Sequence, residues 1–281
     1  MRRAPTDPAP VSWRLLLDAP ADAAANMAVD ETLLEGYLAD DSRETSPTLR
    51  LYGWRPGALS LGKGQAARGS HDASFLRREG LGLVRRPTGG QAVLHEGERT
   101  YCVAGRLDRA PFDRGVLATY EAISGALRLG LERLGVSTTL SPQRSPAGAS
   151  GPVCFNVAAS HELLNEGRKL IGSAQLRRGR AFLQHGSIPY LADAARLGAA
   201  IGVPADGARF TGLDAAIGRR PSDDEVDAAL VAGFEQTFGV ALMRDERTPD
   251  ENARVEKLRC WKYLSASWTL NGKLDASDAT R

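Results

Sequence analysis

The sequence predicts an α+β fold in which a mixed, largely antiparallel sheet is flanked by helices. Short runs of β-branched and apolar residues are separated by turn residues, as is typical of strands. Three longer segments repeat apolar residues at every third or fourth position, which indicates helices. Strands and helices do not alternate regularly, so a doubly wound parallel sheet is not expected.

The N-terminal part combines a leader, a strand and a helix. Residues 1–12 are rich in Pro and Arg and are expected to form a flexible leader. Residues 13–17 form the first predicted buried strand. Residues 22–37 place apolar side chains on one helical face, which predicts an amphipathic helix with Asp30 and Glu31 outside its apolar stripe.

The middle of the chain is rich in short strands and also contains the most regular helical pattern. Strands are predicted at 48–52, 58–61, 82–85, 92–94 and 100–104, with a short helix at 70–79. Apolar residues recur at spacings of three or four over 116–134, and Gly135 ends this pattern. The helix should pack against the sheet.

Two turns define a three-stranded meander in the second half of the chain. Asn165-Glu166-Gly167 and Arg178-Gly179 separate predicted antiparallel strands at 161–164, 169–176 and 181–185, so that Lys169 begins the central strand. A loop rich in Ser, Pro and Gly at 141–152 comes before the meander. A helix is predicted at 223–238, and a polar, frayed tail is expected from residue 271.

The composition restricts the class of protein. The chain has 281 residues, 42% hydrophobic and 25% charged, with a formal net charge of +2. This is ordinary for a soluble globular protein, and the charge is too small to indicate nucleic-acid binding. No apolar run approaches the roughly 18 residues of a membrane span. Three cysteines without a CxxC pair suggest neither a zinc site nor a disulfide framework. We therefore expect a cytoplasmic protein that binds neither nucleic acid nor membrane.

The most informative pattern places the thiol of Cys154 shortly before Lys169, which lies between glycines. Cysteine attacks acyl groups as the thiolate, and a nearby cation lowers the usual thiol pKa of about 8.5. Cys154 is therefore a candidate nucleophile and Lys169 a candidate activator. The alternatives are a buried packing role for Cys154 and an exposed strand end at Lys169.

A second motif, RRPTGGQAVLH from Arg85 to His95, places two glycines between two predicted strands. Glycine allows the backbone to approach a ligand closely. A tight hairpin turn is the alternative explanation, because such turns commonly use a Gly-Gly pair.

Together these motifs resemble the biotin/lipoate protein ligase superfamily. The resemblance rests on NMAVDETLL near Asn26, RRPTGGQAVLH, GRKLIGSAQ and LQHGSI, in the family's order and spacing. It implies a biotin/lipoate protein ligase-like catalytic domain at 13–240, followed by a partly flexible C-terminal extension at 241–281. The CF sequence before the GRK motif is most similar to the cysteine-dependent octanoyl-[acyl-carrier-protein]:protein N-octanoyltransferases.

The resemblance implies an acyl transfer in which Cys154 accepts an octanoyl group from acyl carrier protein as a thioester. A lysine of a lipoyl domain, or of the glycine-cleavage carrier protein, would then take the octanoyl group as an amide. Lys169 would favour the thiolate and donate a hydrogen bond to the acyl carbonyl. No cofactor and no metal are expected, and the enzyme is expected to act as a monomer.

The resemblance also implies a set of substrate-binding residues. These are Arg86, Thr88, Gly89, Gly90, Gln91, His95, Gly172, Ser173, Ala174, His185 and Gly186. His95 and His185 are also explained as hydrogen-bonded structural histidines. His161 stands where related octanoyltransferases often carry Tyr, so a role as base would be particular to this chain. Cys102, Cys260 and Trp261 are interpreted as packing residues.

Three other functions remain open at this point. The first is an ATP-dependent lipoate ligase, although Gln91 stands where ligases have a third glycine. The second is an amidotransferase that moves octanoate between carrier domains, and the third is a non-catalytic module that binds carrier proteins. The arginines are expected either to meet an acidic carrier protein or to be solvated. These arginines are Arg85, Arg86, Arg177, Arg178 and Arg180.

Overall fold

A computed structural model of the chain describes residues 11–39, 45–141, 162–204 and 209–275. The strands are β1 (Ser12–Leu17), β2 (Thr48–Tyr52), β3 (Ala58–Leu61), β4 (Gly82–Arg85), β5 (Val93–His95), β6 (Glu98–Arg106), β7 (Thr139–Leu140), β8 (Leu163–Asn165), β9 (Arg168–Arg178), β10 (Ala181–Pro189) and β11 (Ala241–Arg244). The helices are α1 (Ala23–Ala39), α2 (Ala73–Arg78), α3 (Val116–Arg133), α4 (Ala194–Ile201), α5 (Leu213–Ile217), α6 (Asp223–Phe238), α7 (Pro249–Leu258) and α8 (Ala266–Asn271), with a π-helical turn (Arg259–Tyr263) before α8.

The strands form two sheets. The larger sheet has eight strands in the order β11-β1-β2-β6-β10-β9-β8-β7. Strands β11, β1 and β2 run parallel, and every other neighbouring pair is antiparallel. The smaller sheet has the order β4-β3-β5, in which β3 is parallel to β4 and antiparallel to β5. The predicted α+β class with a mixed, largely antiparallel sheet is confirmed.

The glycine motif does not form a hairpin turn. Because β4 and β5 lie on opposite sides of β3, the segment that joins them crosses the end of β3. Gly62, which follows β3, lies so close beneath this crossing that a Cβ built on it would be 1.8 Å from the Gly90 carbonyl oxygen. The hairpin alternative was therefore wrong, and the crossing requires glycine at position 62.

The two faces of the larger sheet are covered by different helices. Helices α3 and α6 pack on one face, where the side chains of Leu49, Leu51, Ile123, Leu127 and Phe234 are almost completely buried. Burial of each such side chain contributes about 1.5–3 kcal/mol. This face is the main apolar core, as the regular period of α3 predicts.

Helix α1 covers the opposite face, and its surroundings differ from the prediction. The smaller sheet and the C-terminal helices also pack here, so α1 is enclosed on several sides. Asp30 and Glu31, predicted to lie outside the apolar stripe, are 0% and 2% exposed. The prediction of an amphipathic helix was wrong in this respect, because α1 has no broad solvent-facing side for its carboxylates.

The predicted meander is formed by β8, β9 and β10. The turn from β8 to β9 places Glu166 and Gly167 in the left-handed region, with φ of 49° and 74°. Two such residues match the twist of an antiparallel pair. A bulge interrupts the pairing of β8 with β9 between Leu163 and Leu164. The central strand begins at Arg168, one residue before the start predicted at Lys169.

Candidate active site

A narrow cavity lies between the two sheets, beneath α1. Its walls come from α1, from both sheets and from the segments beside them. The lining residues are Met27, Tyr52, Trp54, Ser60, Arg86, Val93, His95, Thr100, Gly172, Ser173, Ala174, His185, Gly186 and Ser187. Seven of the predicted substrate-binding residues therefore meet in one place, namely Arg86, His95, Gly172, Ser173, Ala174, His185 and Gly186. A second cleft, beside Arg14, contains none of them.

Strand pairing explains why residues distant in sequence line one wall. His185 pairs with Ala174 and Ser187 pairs with Gly172 across β10 and β9. Paired residues of antiparallel strands lie on the same face, and alternate residues of one strand return to it. At Gly186 a Cβ would lie 2.5 Å from a ring carbon of Tyr101, so this position has no room for a side chain.

His185 connects α1 to the glycine motif. Its Nδ1 lies 2.8 Å from Asp30 Oδ2, and its Nε2 lies 2.7 Å from Thr88 Oγ1. Because an ionised carboxylate only accepts, Nδ1 donates to Asp30, and a second hydrogen bond joins Nε2 to the Thr88 hydroxyl. All three side chains are buried. The carboxylate, imidazole and hydroxyl therefore form a fixed chain behind the cavity wall.

Asp30 is ionised although it is completely buried. Burial alone would raise its pKa, but the hydrogen bond from His185 and the charge of Arg50 outweigh burial and hold the pKa below its ordinary value. Arg50 Nη1 donates to Asp30 over 2.7 Å, and the Tyr52 hydroxyl donates over 2.8 Å. A buried carboxylate persists only when several donors replace its water. These contacts fix α1 against β2 and β10.

His95 is held in a similar way on the other side of the cavity. Its Nδ1 donates to Glu98 over 2.7 Å, and its Nε2 lies 2.8 Å from Ser60 Oγ. Arg86 Nη1 donates to the same Ser60 oxygen, so the serine proton is available to His95. Glu98 also accepts hydrogen bonds from Thr100 and Ser187. Each histidine of the cavity thus has a carboxylate on Nδ1 and a hydroxyl on Nε2.

Arg86 shapes the glycine segment of this motif, residues 88–91, which does not itself line the cavity. The Arg86 guanidinium donates to the carbonyl oxygens of Gly89 and Gln91 over 2.7 and 2.8 Å. Thr88 bonds to His185, and Gly90 packs on Gly62. These predicted residues, other than Arg86, lie behind the wall rather than on it. Their place in the structure is to hold Arg86 and His185 in position.

Two of the five arginines that were expected at the surface are buried. Arg85 and Arg86 are 1% and 4% exposed and donate to main-chain carbonyls, so the expectation that they meet a carrier protein was wrong. Arg85 joins the turn after β3 to the end of α8. Burial lowers the pKa of Arg85. Arg178 donates to Glu31, and Arg180 donates to the Leu38 carbonyl.

Lys169 lies on the strand that forms one wall of the cavity. It precedes Gly172 by three residues, a distance of roughly 10 Å along β9 at about 3.3 Å per residue. Its Nζ is 2.6 Å from Glu162 Oε1, and both side chains are 2% exposed. The alternative of an exposed strand end was wrong. Cys154 and His161 lie outside the described residues.

The other two cysteines have opposite environments. Cys102 is completely buried on β6, and burial together with the charge of Asp30 raises its pKa well above the ordinary value. A thiol of this kind is unreactive. Cys260 is exposed in the π-helical turn, so its interpretation as a packing residue was wrong. Trp261 beside it packs against the C-terminal core as expected.

Sequence reasoning missed the groups that orient the predicted residues. Asp30, Glu98 and Glu162 are the carboxylates bound to His185, His95 and Lys169. Glu98 follows His95 by three residues across a Glu-Gly turn, and this spacing was the available signal. Asp30 gave none because its partner is distant in sequence, and Glu162 gave none because a bulge between β8 and β9 brings it to Lys169.

The described ranges lack two features, a membrane-spanning helix and a metal-binding cluster. No helix there is long and apolar enough to cross a membrane. No group of three or more His, Cys, Asp or Glu side chains is arranged there to hold a metal ion.

The fold is that of a lipoate-protein ligase type of catalytic domain. Residues 22–235 match the model of the lipoyl protein ligase A/B catalytic domain family, and the chain belongs to this family. Its fold is similar to that of lipoate-protein ligase A bound with ATP, with a TM-score of 0.79 and 24% identity over 93% of this chain and all of that one. A putative lipoate protein ligase from T. acidophilum with bound lipoic acid has a TM-score of 0.77, with 24% identity over 92% of this chain and 99% of that one.

The relatives with higher sequence identity include several octanoyltransferases. The octanoyltransferase LipM of Symbiobacterium thermophilum is 38% identical over 276 residues, which cover 92% of this chain and 98% of the relative. Octanoyltransferase LipM of Moorella thermoacetica is 35% identical over 92% of this chain and 97% of its own. The Bacillus subtilis protein of that name is 32% identical, with the same coverage.

Proposed function

We propose that the chain is an octanoyltransferase of lipoate biosynthesis. It takes octanoate from acyl carrier protein and transfers it to a lysine of a lipoyl domain or of the glycine-cleavage carrier protein. The observation that carries this proposal is the similarity, over 92% of the chain, to octanoyltransferases that are 32–38% identical. The reaction belongs to the cytoplasm, and one chain suffices for it.

The covalent step is assigned to Cys154. Its thiolate attacks the thioester carbonyl of octanoyl-phosphopantetheine, the pantetheine thiolate leaves and takes up a proton, and an octanoyl-enzyme results. The amine of the acceptor lysine then attacks this thioester. The Cys154 thiolate leaves, the amine loses a proton, and an amide is formed. No ATP is consumed, because the thioester is already activated.

The described residues support this assignment by elimination and by geometry. Of the two cysteines there, Cys102 is buried with a raised pKa, and Cys260 is exposed on the C-terminal turn. Neither lines the cavity. Lys169, at the start of the wall strand, carries a charged side chain that can donate to the acyl oxygen.

The cavity suits the alkyl chain of an octanoyl group, whose carbonyl end undergoes the reaction. Glycine and alanine on β9 and β10 leave a slot between the sheets, and Met27 and Val93 add apolar surface. Each buried methylene contributes about 0.8 kcal/mol. The polar groups of the wall bond to one another, so they present few free donors to an acyl chain.

Intact-mass spectrometry tests the covalent step. The protein is incubated with octanoyl-acyl carrier protein and no ATP, and one octanoyl group is expected on the enzyme. Cys154→Ser should abolish this adduct, whereas Cys260→Ser, the matched control, should retain it. Loss of the adduct only in Cys260→Ser would overturn the assignment. Absence of any adduct, together with lipoate-dependent exchange of ATP and pyrophosphate, would indicate a ligase instead.

A further inference from the structure

Two glutamates near one turn form ion pairs of very different kinds. Glu162 Oε1 lies 2.6 Å from Lys169 Nζ, and each side chain is 2% exposed. Glu166 lies 3.5 Å from Arg168, and these side chains are 78% and 47% exposed. An exposed pair contributes little, whereas a buried ammonium requires a nearby countercharge. Glu162 therefore provides a countercharge directly beside the buried Lys169 ammonium.

The backbone holds both members of the buried pair. The Glu162 N–H donates to Ser141 Oγ over 3.1 Å, and its carbonyl accepts from the Ser141 N–H over 2.8 Å. The Lys169 N–H donates to the Arg209 carbonyl over 2.8 Å, and its own carbonyl accepts from the Thr211 N–H over 2.9 Å. These contacts fix the backbone at both positions, and burial restricts the two side chains. The pair is consequently preorganised.

The bulge in β9 explains how the lysine comes to face the glutamate. Leu163 pairs with Ile171 and Leu164 pairs with Lys169, so β9 has one extra residue here. Leu170 and Ile171, although consecutive, both belong to the apolar core. A bulge redirects side chains in this way. It lets Lys169 leave the core side and meet Glu162.

We propose that Glu162 is a positioning residue that keeps Lys169 charged and orients its ammonium group for acyl transfer. This inference rests on the proposed function, in which Lys169 donates to the acyl carbonyl oxygen. An ammonium has three N–H donors, and the bond to Glu162 uses one of them. A neutral amine would stabilise a developing oxyanion much less than an ammonium. Glu162 acts through Lys169 and is not itself required to touch the substrate.

Single-turnover acylation tests the proposal. The rate of octanoyl transfer to Cys154 is measured at increasing donor concentration for the parent and for Glu162→Gln, Glu162→Asp and Glu166→Gln. In Glu162→Gln the maximal rate should fall by about 10²-fold, as when an oxyanion donor is lost, with little change in half-saturating donor. Glu162→Asp should restore part of the rate. Glu166→Gln, the matched control, should equal the parent.

A second readout does not depend on Cys154. Acetic anhydride acylates neutral amines, so Lys169 should be labelled faster in Glu162→Gln than in the parent, while Lys273 is labelled equally in both. Mass mapping of Lys169 after a short exposure measures this difference. Unchanged labelling and unchanged acylation would overturn the role of Glu162. If the parent forms no adduct on Cys154, the proposed function fails, and the labelling still decides whether Glu162 governs the charge of Lys169.

Folding of the variants is checked by circular dichroism. If Glu162→Gln does not fold, Glu162→Asp decides the question, because it keeps the charge and shortens the reach by one methylene. An intermediate maximal rate for Glu162→Asp supports positioning. A rate equal to that of the parent contradicts it.

Discussion

Asp30 and Glu31 are neighbours on one helix, yet they connect α1 to different parts of the molecule. Asp30 accepts from His185, Arg50 and Tyr52, and so faces the wall of the cavity. Glu31 accepts from Lys262 and Tyr263 in the C-terminal segment. Both carboxylates are buried. Asp30 therefore belongs to the framework of the site, whereas Glu31 anchors the segment that encloses α1.

The electrostatics of the two clusters also differ. The pKa of Asp30 is lowered although burial opposes this, and the charges of Asp30 and Asp18 raise the pKa of Arg50 despite its burial. The pKa shifts of Asp30 and Arg50 thus both favour the charged forms of the pair. In the other cluster burial favours a higher pKa for Glu31, but Lys262 lowers it, while burial lowers the pKa of Lys262 itself. The lowered pKa of Glu31 favours the ion pair, whereas the lowered pKa of Lys262 disfavours it. The Asp30 cluster should therefore stabilise the fold more than the Glu31 cluster does.

The largest effect is expected for Asp30→Asn. It leaves the Arg50 guanidinium with less countercharge and should lower the free energy of unfolding by about 3–5 kcal/mol. It should also lower the octanoyl transfer rate per folded molecule, because the amide has a single acceptor oxygen where Arg50, Tyr52 and His185 now share two, so the Nδ1 proton of His185 is less firmly fixed. Urea unfolding and single-turnover acylation measure the two effects. A stability loss without any change in rate would place Asp30 in the same class as Glu31.

The contribution of Asp30 should depend on pH in a defined direction. A carboxyl whose pKa is depressed in the folded state stabilises the fold above its ordinary value of 3.8, and this stabilisation is lost as pH falls through the depressed pKa. The difference in unfolding free energy between the parent and Asp30→Asn should therefore be constant near neutral pH and shrink below about 3.8. Urea titrations at several acidic pH values check this. A gap that widens in acid would contradict the sign.

A smaller effect is expected for Glu31→Gln. The glutamine still accepts from Tyr263, so the loss should be about 2–3 kcal/mol, as for hydrogen bonds to charged groups. The transfer rate per folded molecule should not change, because Glu31 bonds to no residue of the cavity wall. Thermal unfolding and acylation are measured on the same preparation. A fall in rate as large as that of Asp30→Asn would break the comparison between the two carboxylates.

The smallest effect is expected for Thr88→Val. It removes the hydroxyl that bonds to His185 Nε2 and leaves this buried nitrogen unpaired, at a cost of about 1–2 kcal/mol. Thr88→Ser keeps the hydroxyl and serves as the control. Equal stability and equal rates for the two variants would show that the hydroxyl does not hold His185.

Local patterns were enough to predict much of the fold. Strands β2, β3 and β4 have the predicted bounds, and α3 and α6 lie where the apolar period indicated. The helical period predicts where apolar side chains are, but not whether a polar face is covered by other elements. The burial of Asp30 and Glu31 depends on the C-terminal segment, which packs on α1 from more than 200 residues away. No local window contains that information.

The motifs of the candidate site were predicted from the sequence, but their arrangement in space was not. Seven predicted residues line the cavity, while Thr88, Gly89, Gly90 and Gln91 stand behind it. The difference follows from strand order, because the glycine segment crosses the end of β3. The partner of Lys169 was missed for a similar reason. Its carboxylate lies seven residues upstream and reaches the lysine through a bulge that the sequence does not reveal.

The proposed mechanism requires that the octanoyl group pass through the enzyme as a thioester. The octanoyl-enzyme is isolated free of donor, mixed with an apo lipoyl domain without ATP, and followed by intact-mass spectrometry of both proteins. We expect the octanoyl group to leave Cys154 and appear on one lysine of the acceptor at least as fast as steady-state turnover. An adduct that persists, or that transfers much more slowly than turnover, would contradict it.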